Sequence, residues 1–421
     1  MRKKVRVLLN RLACRSFSEG GFIPSSYFYI MRFRHILLLT LISVGSLRAQ
    51  VSVLRPLART PFLQVTGGVM IVTAQLLPFP DTLQFIFDTG SSGISLDSST
   101  VSYLGLKPVP SGFAIKGVGG IRKVPFLTGR SLRIGGLQAD SLDFHVNDYS
   151  VLTSVYGVRI DGIIGYSLLS RYVISIDHEE LQMDWFAPGT LVYPKRGFTM
   201  QLKMDKLPSY PAYVQDLGVD EPDFLVDLGA GLNVLFSSRY VKVSGVLDGT
   251  RKRWIKSGEG IGGRIEMELT TLRQFRIGPY RFRKVPINIF NDDYNVTNYP
   301  DWAGLLGNDL LRRFQVVLNY PQKEMHLTPN RFLGDAFDYS YSGVELYLVG
   351  NKIKVGYLAP GSPAAEAGLQ EGDEVIAINK SFNGVLNEYK IQLQKAGERV
   401  RIIYRREEKI NELEFRVLRI R

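Results

Sequence analysis

Cysteine and histidine are scarce in this chain. Its 421 residues include one cysteine, Cys14, and four histidines. A single thiol cannot form a disulfide within the chain, so a disulfide-stabilised fold is excluded. The histidines form no His-x-x-x-His pair, and a zinc site is therefore not expected. The glycine-rich run 258–263 lacks the Lys and Ser or Thr that follow in a phosphate-binding loop. We expect neither a metal nor an organic cofactor.

Positive charge is not spread along the whole chain. The formal net charge is +12, but residues 1–50 hold nine of the 52 basic residues and one of the 40 acidic residues. The rest of the chain carries 43 basic residues against 39 acidic ones. It has no basic stripe interleaved with aromatic residues, which argues against nucleic acid as a partner.

Long apolar runs are also lacking, apart from one near the N terminus. The basic stretch Met31–Arg34 precedes the apolar run Ile36–Leu47, and Ala49 follows as a small residue. This order is typical of a secretory signal peptide. The run is too short to span a bilayer, which takes about 20 residues. We predict that residues 1–50 are an N-terminal extension and a signal peptide starting at Met31. The protein is then periplasmic or secreted, with no transmembrane segment after signal removal.

Most of the remaining chain has the pattern of β-strands. From residue 54 to about residue 186, short β-branched and aromatic runs alternate with Gly, Pro, Asp and Ser. Residues 193–329 repeat this pattern, and helical periodicity is scarce in both segments. We therefore predict an all-β body, with one domain at 51–190 and a second at 191–332.

The two segments carry the same landmarks in the same order. The run Phe85–Ser92, which contains Asp-Thr-Gly, is echoed by Phe224–Ala230, which contains Asp-Leu-Gly. A glycine pair follows each aspartate after 31–36 residues, and a Gly-Ile-Ile-Gly or Gly-Leu-Leu-Gly element follows after 74 or 77 residues. Such agreement in order and spacing indicates an internal duplication.

A duplicated aspartate at the end of a strand has a chemical use. Two carboxyl groups held close together cannot both ionise easily, so the pair retains one proton. The ionised group can then take a proton from a bound water, while the protonated group supports a substrate carbonyl. We expect Asp88 and Asp227 to face each other across a cleft.

The run Asp88-Thr89-Gly90-Ser91-Ser92, with the later Ile163-Ile164-Gly165, resembles the signature of pepsin-like and retropepsin-like aspartic peptidases. This resemblance covers about residues 60–330. It implies two retropepsin-like β-barrel lobes facing a central cleft, and a peptide or unfolded protein as substrate. It also implies catalytic and active-site-turn residues in both halves and glycine-rich flaps over the cleft. The catalytic residues are Asp88 and Asp227; the turn residues are Thr89, Gly90, Ser91, Leu228 and Gly229; the flap candidates are Gly117, Gly119, Gly120, Gly260, Gly262 and Gly263.

The second turn departs from the family pattern. Its residues Leu228 and Ala230 stand where the family has Thr or Ser and then Ser or Ala, and Leu228 cannot form the hydroxyl hydrogen bond across the interface. A typical hydrogen bond contributes about 0.5–1.5 kcal/mol net. A catalytically inactive, peptidase-like protein that binds peptides therefore stays open as an alternative to an aspartic endopeptidase.

The last segment, residues 338–421, has a different character. Gly361-Ser362-Pro363 predicts a turn and a helix start, and Gly372–Asn379 predicts a turn into a buried strand. These motifs resemble a small α+β PDZ domain of the circularly permuted type found in bacterial exported peptidases. The resemblance implies that a loop and strand receive a C-terminal peptide by β-augmentation. The peptide-binding candidates are Tyr341, Ser342, Gly343 and Val344.

Overall fold

The computed structural model describes residues 55–117, 119–189, 192–260, 263–294 and 302–421. The described chain is mostly β, as predicted. The predicted signal segment, the flap candidate Gly262 and the predicted boundary at 190–191 lie outside the described residues. None of the helices in these ranges has the length and hydropathy needed to cross a membrane.

The first half of the body consists of short strands with three helices and one 3₁₀ turn, Thr66–Gly68. The helices are Ser98–Tyr103, Ser150–Tyr156 and Tyr166–Leu169. The strands are β1 (Ala58–Gln64), β2 (Met70–Leu77), β3 (Leu83–Phe87), β4 (Ile94–Asp97), β5 (Ala114–Gly117), β6 (Gly120–Lys123), β7 (Phe126–Ile134), β8 (Leu137–Asn147), β9 (Gly162–Ile164), β10 (Val173–Asp177) and β11 (Gln182–Phe186).

The second half also consists mainly of strands, with two helices in the described residues. Its helices are Ser238–Ser244 and Asn308–Leu311, and the 3₁₀ turn Arg331–Gly334 follows its last strand. The strands are β12 (Phe198–Gln201), β13 (Lys203–Asp205), β14 (Leu207–Pro211), β15 (Tyr213–Gln215), β16 (Val219–Asp220), β17 (Asp223–Asp227), β18 (Val234–Ser237), β19 (Trp254–Gly260), β20 (Gly263–Ile277), β21 (Tyr280–Phe290), β22 (Gly304–Gly307), β23 (Phe314–Asn319) and β24 (Glu324–Pro329).

The strand pairing repeats between the halves. In the first half β9 lies between β3, to which it is parallel, and β4, to which it is antiparallel. In the second half β22 lies in the same way between β17 and β18. The next neighbour is also equivalent, because β4 is parallel to β8 and β18 is parallel to β21. The duplicated landmarks of the sequence thus correspond to a duplicated arrangement of strands.

A shared sheet and a shared core join the two halves. Strands β10 and β23 pair antiparallel at the centre of the run β12-β24-β23-β10-β11-β1. Side chains alternate along each strand, so that Phe85 and Phe87 of β3 enter the main core while Ile86 faces a smaller cluster. The main core also contains Leu228 and Phe314 of the second half. The two halves therefore pack as one continuous body.

The C-terminal segment, residues 338–421, has its own sheet and core. Strands β26 to β30 form an antiparallel sheet in chain order, and β25 pairs with β31. Ser362 caps the helix Pro363–Glu366, as the turn motif predicts, and a second helix spans Leu386–Leu393. The strands are β25 (Ser340–Tyr341), β26 (Val344–Val349), β27 (Lys352–Leu358), β28 (Glu374–Ile378), β29 (Arg399–Arg406), β30 (Lys409–Arg416) and β31 (Leu418–Arg419).

Candidate active site

The two aspartates lie at the carboxyl ends of equivalent buried strands. Strand β3 ends at Phe87, directly before Asp88, and the Asp88 amide donates to the carbonyl of Ile164 at 2.9 Å. Strand β17 ends at Asp227, which is in register with Gly307 of β22. The apolar residues before each aspartate are buried, so each carboxyl group is set at the end of a rigid strand.

The two carboxyl groups lie beside each other, and a hydrogen bond between them contributes to the pKa of each. The glycine of each turn lies against the aspartate of the other turn. A Cβ atom on Gly90 would lie 2.5 Å from Asp227 Oδ2, and one on Gly229 would lie 2.6 Å from Asp88 Cγ. Any larger residue at either position would therefore push an aspartate away. Glycine is required here for this close approach.

Backbone amides orient each carboxyl group. The Gly90 amide donates to Asp88 Oδ1 at 2.7 Å, and the Gly229 amide donates to Asp227 Oδ1 at 2.8 Å. Asp227 Oδ1 also accepts from the Ala230 amide at 3.1 Å. One oxygen of each carboxyl group is thus fixed by its own turn.

Burial raises the pKa of both aspartates above the ordinary value of 3.8. Each residue keeps part of its surface exposed, while its carboxyl group is surrounded by protein atoms. The charge of Asp227 and the shared hydrogen bond raise the pKa of Asp88 further, whereas the same hydrogen bond lowers the pKa of Asp227. The pair therefore retains one proton at pH values where an isolated aspartate has lost it.

The hydrogen bonds between the two aspartate turns involve a side chain of the first turn only. Thr89, which is fully buried, donates through Oγ1 to the carbonyl of Val226 at 2.7 Å. The same Oγ1 accepts from the Leu228 amide at 2.9 Å. Leu228 has no hydroxyl that could form equivalent bonds to the first turn, and its side chain is buried in the main core instead. The lost polar contact is replaced by apolar packing, and the aspartates still meet.

Ser91 supports the first turn through its backbone. Its carbonyl accepts from the Tyr166 amide at 2.8 Å, while its hydroxyl lies 3.4 Å from the carbonyl of Gly93. In the second turn Ala230 takes the same position, and its carbonyl accepts from the Asn308 amide at 2.8 Å. The backbone contacts of the two turns are therefore equivalent although the side chains differ.

Both predicted flap segments are β-hairpins. The first hairpin is formed by β5 and β6, with Gly117 paired to Gly120 and Gly119 in the turn between them. The second hairpin is formed by β19 and β20, with Gly260 paired to Gly263. The second is the longer one, and its paired part extends from Trp254 to Leu269. That these hairpins close over a substrate stays a prediction.

Two tyrosines near the aspartates were not predicted from the sequence. Tyr156, at the end of helix Ser150–Tyr156, and Tyr320, directly after β23, each interact electrostatically with both aspartates. Burial, together with the charges of both aspartates, raises the pKa of each phenol. The Tyr320 hydroxyl is buried and has no hydrogen-bond partner among the described residues. The symmetry of the repeat offers no signal for Tyr320, because His178 occupies the equivalent position of the first half.

The peptide-binding candidates of the C-terminal segment are not beside the aspartate pair but against the second hairpin. The Tyr341 hydroxyl donates to the carbonyl of Ile255 at 3.0 Å, and its ring contacts Trp254. Tyr341, Ser342, Gly343 and Val344 line a cavity of about 110 Å³ that also reaches Ser257 and Lys390. Peptide binding in this cavity stays a prediction.

A sequence model of the aspartyl protease family matches residues 80–168 and 211–310. Each matched segment contains one aspartate, its turn and the following Gly-x-x-Gly element. No curated protein matches the chain. The family match and the mostly β structure support an aspartic peptidase-like fold and, in general terms, a peptidase function acting on peptides.

Proposed function

We propose that this protein is an exported aspartic endopeptidase that hydrolyses peptide bonds with Asp88, Asp227 and an activated water. The observation that carries the proposal is the close approach of the two aspartates at the ends of duplicated strands, where the glycine of each turn lies against the aspartate of the other. In this proposal the two halves are lobes that face a cleft, and the two turns meet at its floor.

In the proposed reaction Asp227 is the base and Asp88 is the acid. The Asp227 carboxylate takes a proton from the bound water, whose oxygen attacks the peptide carbonyl carbon. The proton of Asp88 passes to the carbonyl oxygen, which gives a neutral tetrahedral intermediate. The proton on Asp227 then moves to the amide nitrogen, the carbon–nitrogen bond breaks, and a hydroxyl proton of the intermediate returns to Asp88. The products are a carboxylic acid and an amine, and both aspartates end in their starting states.

The substrate class follows from apolar clusters on either side of the aspartates. Ile86 and Ile163 of the first half belong to one cluster, to which Tyr156 contributes as a partly buried member. Leu225 and Leu305 occupy the equivalent positions in a cluster of the second half. Ile86 and Leu225 each precede an aspartate by two residues, so their side chains lie on the same face of the strand as the carboxyl group. We expect an extended peptide with apolar side chains on both sides of the cleaved bond.

The exported location rests on the sequence alone. The basic stretch at Met31, the apolar run after it and Ala49 support a signal peptide, and the PDZ-like motifs are of the type found in bacterial exported peptidases. N-terminal sequencing of the protein recovered from a bacterial periplasm or medium tests this. A first residue near Gln50 or Val51 is expected; an unprocessed N terminus, with the protein retained in the cytoplasm, would contradict export.

A non-catalytic peptide-binding protein is the second candidate, and Leu228 is the observation that favours it. The test is hydrolysis of an unfolded protein from acid to neutral pH, with and without a statine inhibitor that mimics the tetrahedral intermediate. Asp88→Asn should abolish cleavage, whereas the exposed Asp205→Asn should retain it. Cleavage that survives Asp88→Asn, or no cleavage by the wild type at any pH, would refute the endopeptidase.

A further inference from the structure

The C-terminal segment contacts the side of the body that carries Tyr156. Helix Ser150–Tyr156 packs against strand β26, the first strand of the C-terminal sheet, and against β19 of the second hairpin. Strand β26 is an edge strand that pairs only with β27 in its sheet. An edge of this kind is what a peptide would need for strand addition. Here a helix of the same chain packs against that strand.

Helix Leu386–Leu393 packs against the same strand β26, so that the strand and this helix border a groove on the C-terminal segment. Helix Ser150–Tyr156 contacts both borders of this groove. The Lys390 ammonium donates to the carbonyl of Val155 at 2.7 Å. Gly157 ends helix Ser150–Tyr156 in the left-handed conformation, with φ of 67°, and a Cβ on it would lie 3.0 Å from Leu386 Cδ2. The Thr66 hydroxyl donates to Asn387 Oδ1 at 2.9 Å. Three residues of one C-terminal helix thus contact the cleft region of the first half.

The helix that makes these three contacts is itself packed into the core of the C-terminal segment. Tyr389 and Leu393 of the same helix are buried in the C-terminal core, and the Tyr389 hydroxyl donates to the carbonyl of Ile376 at 2.7 Å. Lys390 is partly buried, with Glu345 and Lys256 as its charged neighbours. A cation at the last carbonyls of a helix is favourable, because these carbonyls lack partners within the helix and carry the negative end of its dipole.

The carbonyl held by Lys390 belongs to the residue before Tyr156, which interacts with both aspartates. We infer that Lys390 is a positioning residue for the peptidase site: it fixes the last turn of helix Ser150–Tyr156 in the groove of the C-terminal segment and thereby holds Tyr156 beside the aspartate pair. The C-terminal segment then acts on the cleft from within the chain.

The kinetic test rests on the proposed endopeptidase activity and uses the full chain. Lys390→Met removes the donor, Lys390→Arg keeps one, and the exposed Lys395→Met is the matched control. With a fluorogenic peptide that has apolar residues on both sides of the cut, Lys390→Met should lower kcat/KM about tenfold, equivalent to about 1.4 kcal/mol. Most of this loss should appear as a higher KM, because Tyr156 belongs to the apolar cluster that we propose to bind the side chains of the substrate. Lys390→Arg should recover most of the activity.

A double variant tests whether Lys390 acts through Tyr156. Lys390→Met combined with Tyr156→Ala should lower kcat/KM no further than Tyr156→Ala alone. Losses that multiply would show independent routes and overturn the inference, as would a Lys390→Met enzyme with unchanged kcat and KM.

A second readout does not depend on activity. Hydrogen exchange of the amides of residues 150–157 should be about tenfold faster in Lys390→Met than in the wild type and in Lys395→Met, in protein that remains folded. Unchanged exchange would overturn the inference whether or not the chain cleaves peptides. A wild type without activity would refute the proposed function alone, and the exchange rates would then decide about Lys390.

Discussion

Thr89 and Leu228, the residues after the two aspartates, form a pair with hydrogen bonding from one side only. Thr89 Oγ1 accepts from the Leu228 amide at 2.9 Å and donates to the carbonyl of Val226 at 2.7 Å, while Leu228 offers the interface a buried apolar side chain. One threonine therefore holds both turns together. Two of the hydrogen bonds between the turns therefore depend on this one hydroxyl.

We expect Thr89→Val to be strongly destabilising although it preserves the shape of the side chain. It leaves the Leu228 amide and the Val226 carbonyl without this partner, and a buried polar group without a partner costs about 1–3 kcal/mol. Urea denaturation should show a loss of more than about 2 kcal/mol. Thr73→Val, on an exposed position of β2, is the control and should change stability little. Equal stabilities of the two variants would show that Thr89 does not hold the turns.

Gly229 is expected to be as important for catalysis as the aspartates themselves. A methyl group at this position would lie 2.6 Å from Asp88 Cγ, so Gly229→Ala must displace the Asp88 carboxyl. A displacement of about 1 Å can cost 10²-fold in rate. We expect kcat to fall by about this factor with little change in KM, in steady-state kinetics on a peptide substrate. Gly112→Ala adds a methyl in open space and should be neutral; a comparable loss there would mean that the effect is not specific to the site.

The strands that carry the aspartates could be predicted because their signals are local. Apolar runs that end in Asp-x-Gly, and glycine pairs at fixed distances after them, correspond in the structure to strands β3 and β17 and to the two hairpins. Two chain segments with the same pattern form the same pairings. The symmetric packing of the two halves then brings Asp88 and Asp227 together. This contact depends on both halves, so it could not be inferred from either segment alone.

Helix Ser150–Tyr156 could not be predicted in this way. Its sequence SVLTSVY is rich in β-branched residues, which favour strands when considered alone. The helix is held by tertiary contacts instead, with Leu152 buried in the cluster of the first half and Lys390 at its last turn. Tyr156 reaches the site only because of this helix. The contact of Tyr341 with Ile255 could not be predicted either, because the two residues are 86 positions apart in the sequence.

Arg264 is expected to join the second hairpin to the C-terminal segment. It donates to the carbonyl of Gly356 at 2.6 Å and to Glu259 at 3.1 Å, and it lies over the rings of Tyr347 and Tyr357. The Glu259 side chain is only 5% exposed, so removal of Arg264 leaves a buried carboxylate without its cation. Because Arg264 itself is 42% exposed, solvent moderates this cost.

Arg264→Ala should therefore destabilise the protein by about 1–3 kcal/mol in urea denaturation. It should also speed amide exchange in the second hairpin. The exposed Arg281→Ala on β21 is a matched control and should change neither quantity. Unchanged exchange in the hairpin of Arg264→Ala would show that the C-terminal segment is held there by its aromatic contacts alone.

The raised pKa of Asp88 predicts how stability depends on pH. Burial, together with the charge of Asp227, keeps Asp88 protonated in the folded protein at pH values where the unfolded chain has lost that proton. The stabilising effect of this proton is fully present below about pH 3.8 and is lost as the pH rises through the folded pKa. In Asp88→Asn the side chain at position 88 does not titrate. Its stability relative to the wild type should therefore increase from pH 4 to pH 7, by about 1.4 kcal/mol for each unit of the pKa shift.

Urea denaturation of both proteins across this pH range measures the difference. Asp140→Asn is the control, because hydrogen bonds from Ser131 and Gln138 lower the pKa of Asp140, so that well above pH 3.8 this carboxyl is ionised in both the folded and the unfolded chain. The stability of that variant relative to the wild type should therefore stay nearly constant from pH 5 to pH 7. If the difference between Asp88→Asn and the wild type is the same at pH 4 and pH 7, Asp88 does not hold the shared proton. The assignment of Asp88 as the acid in the proposed reaction would then be wrong.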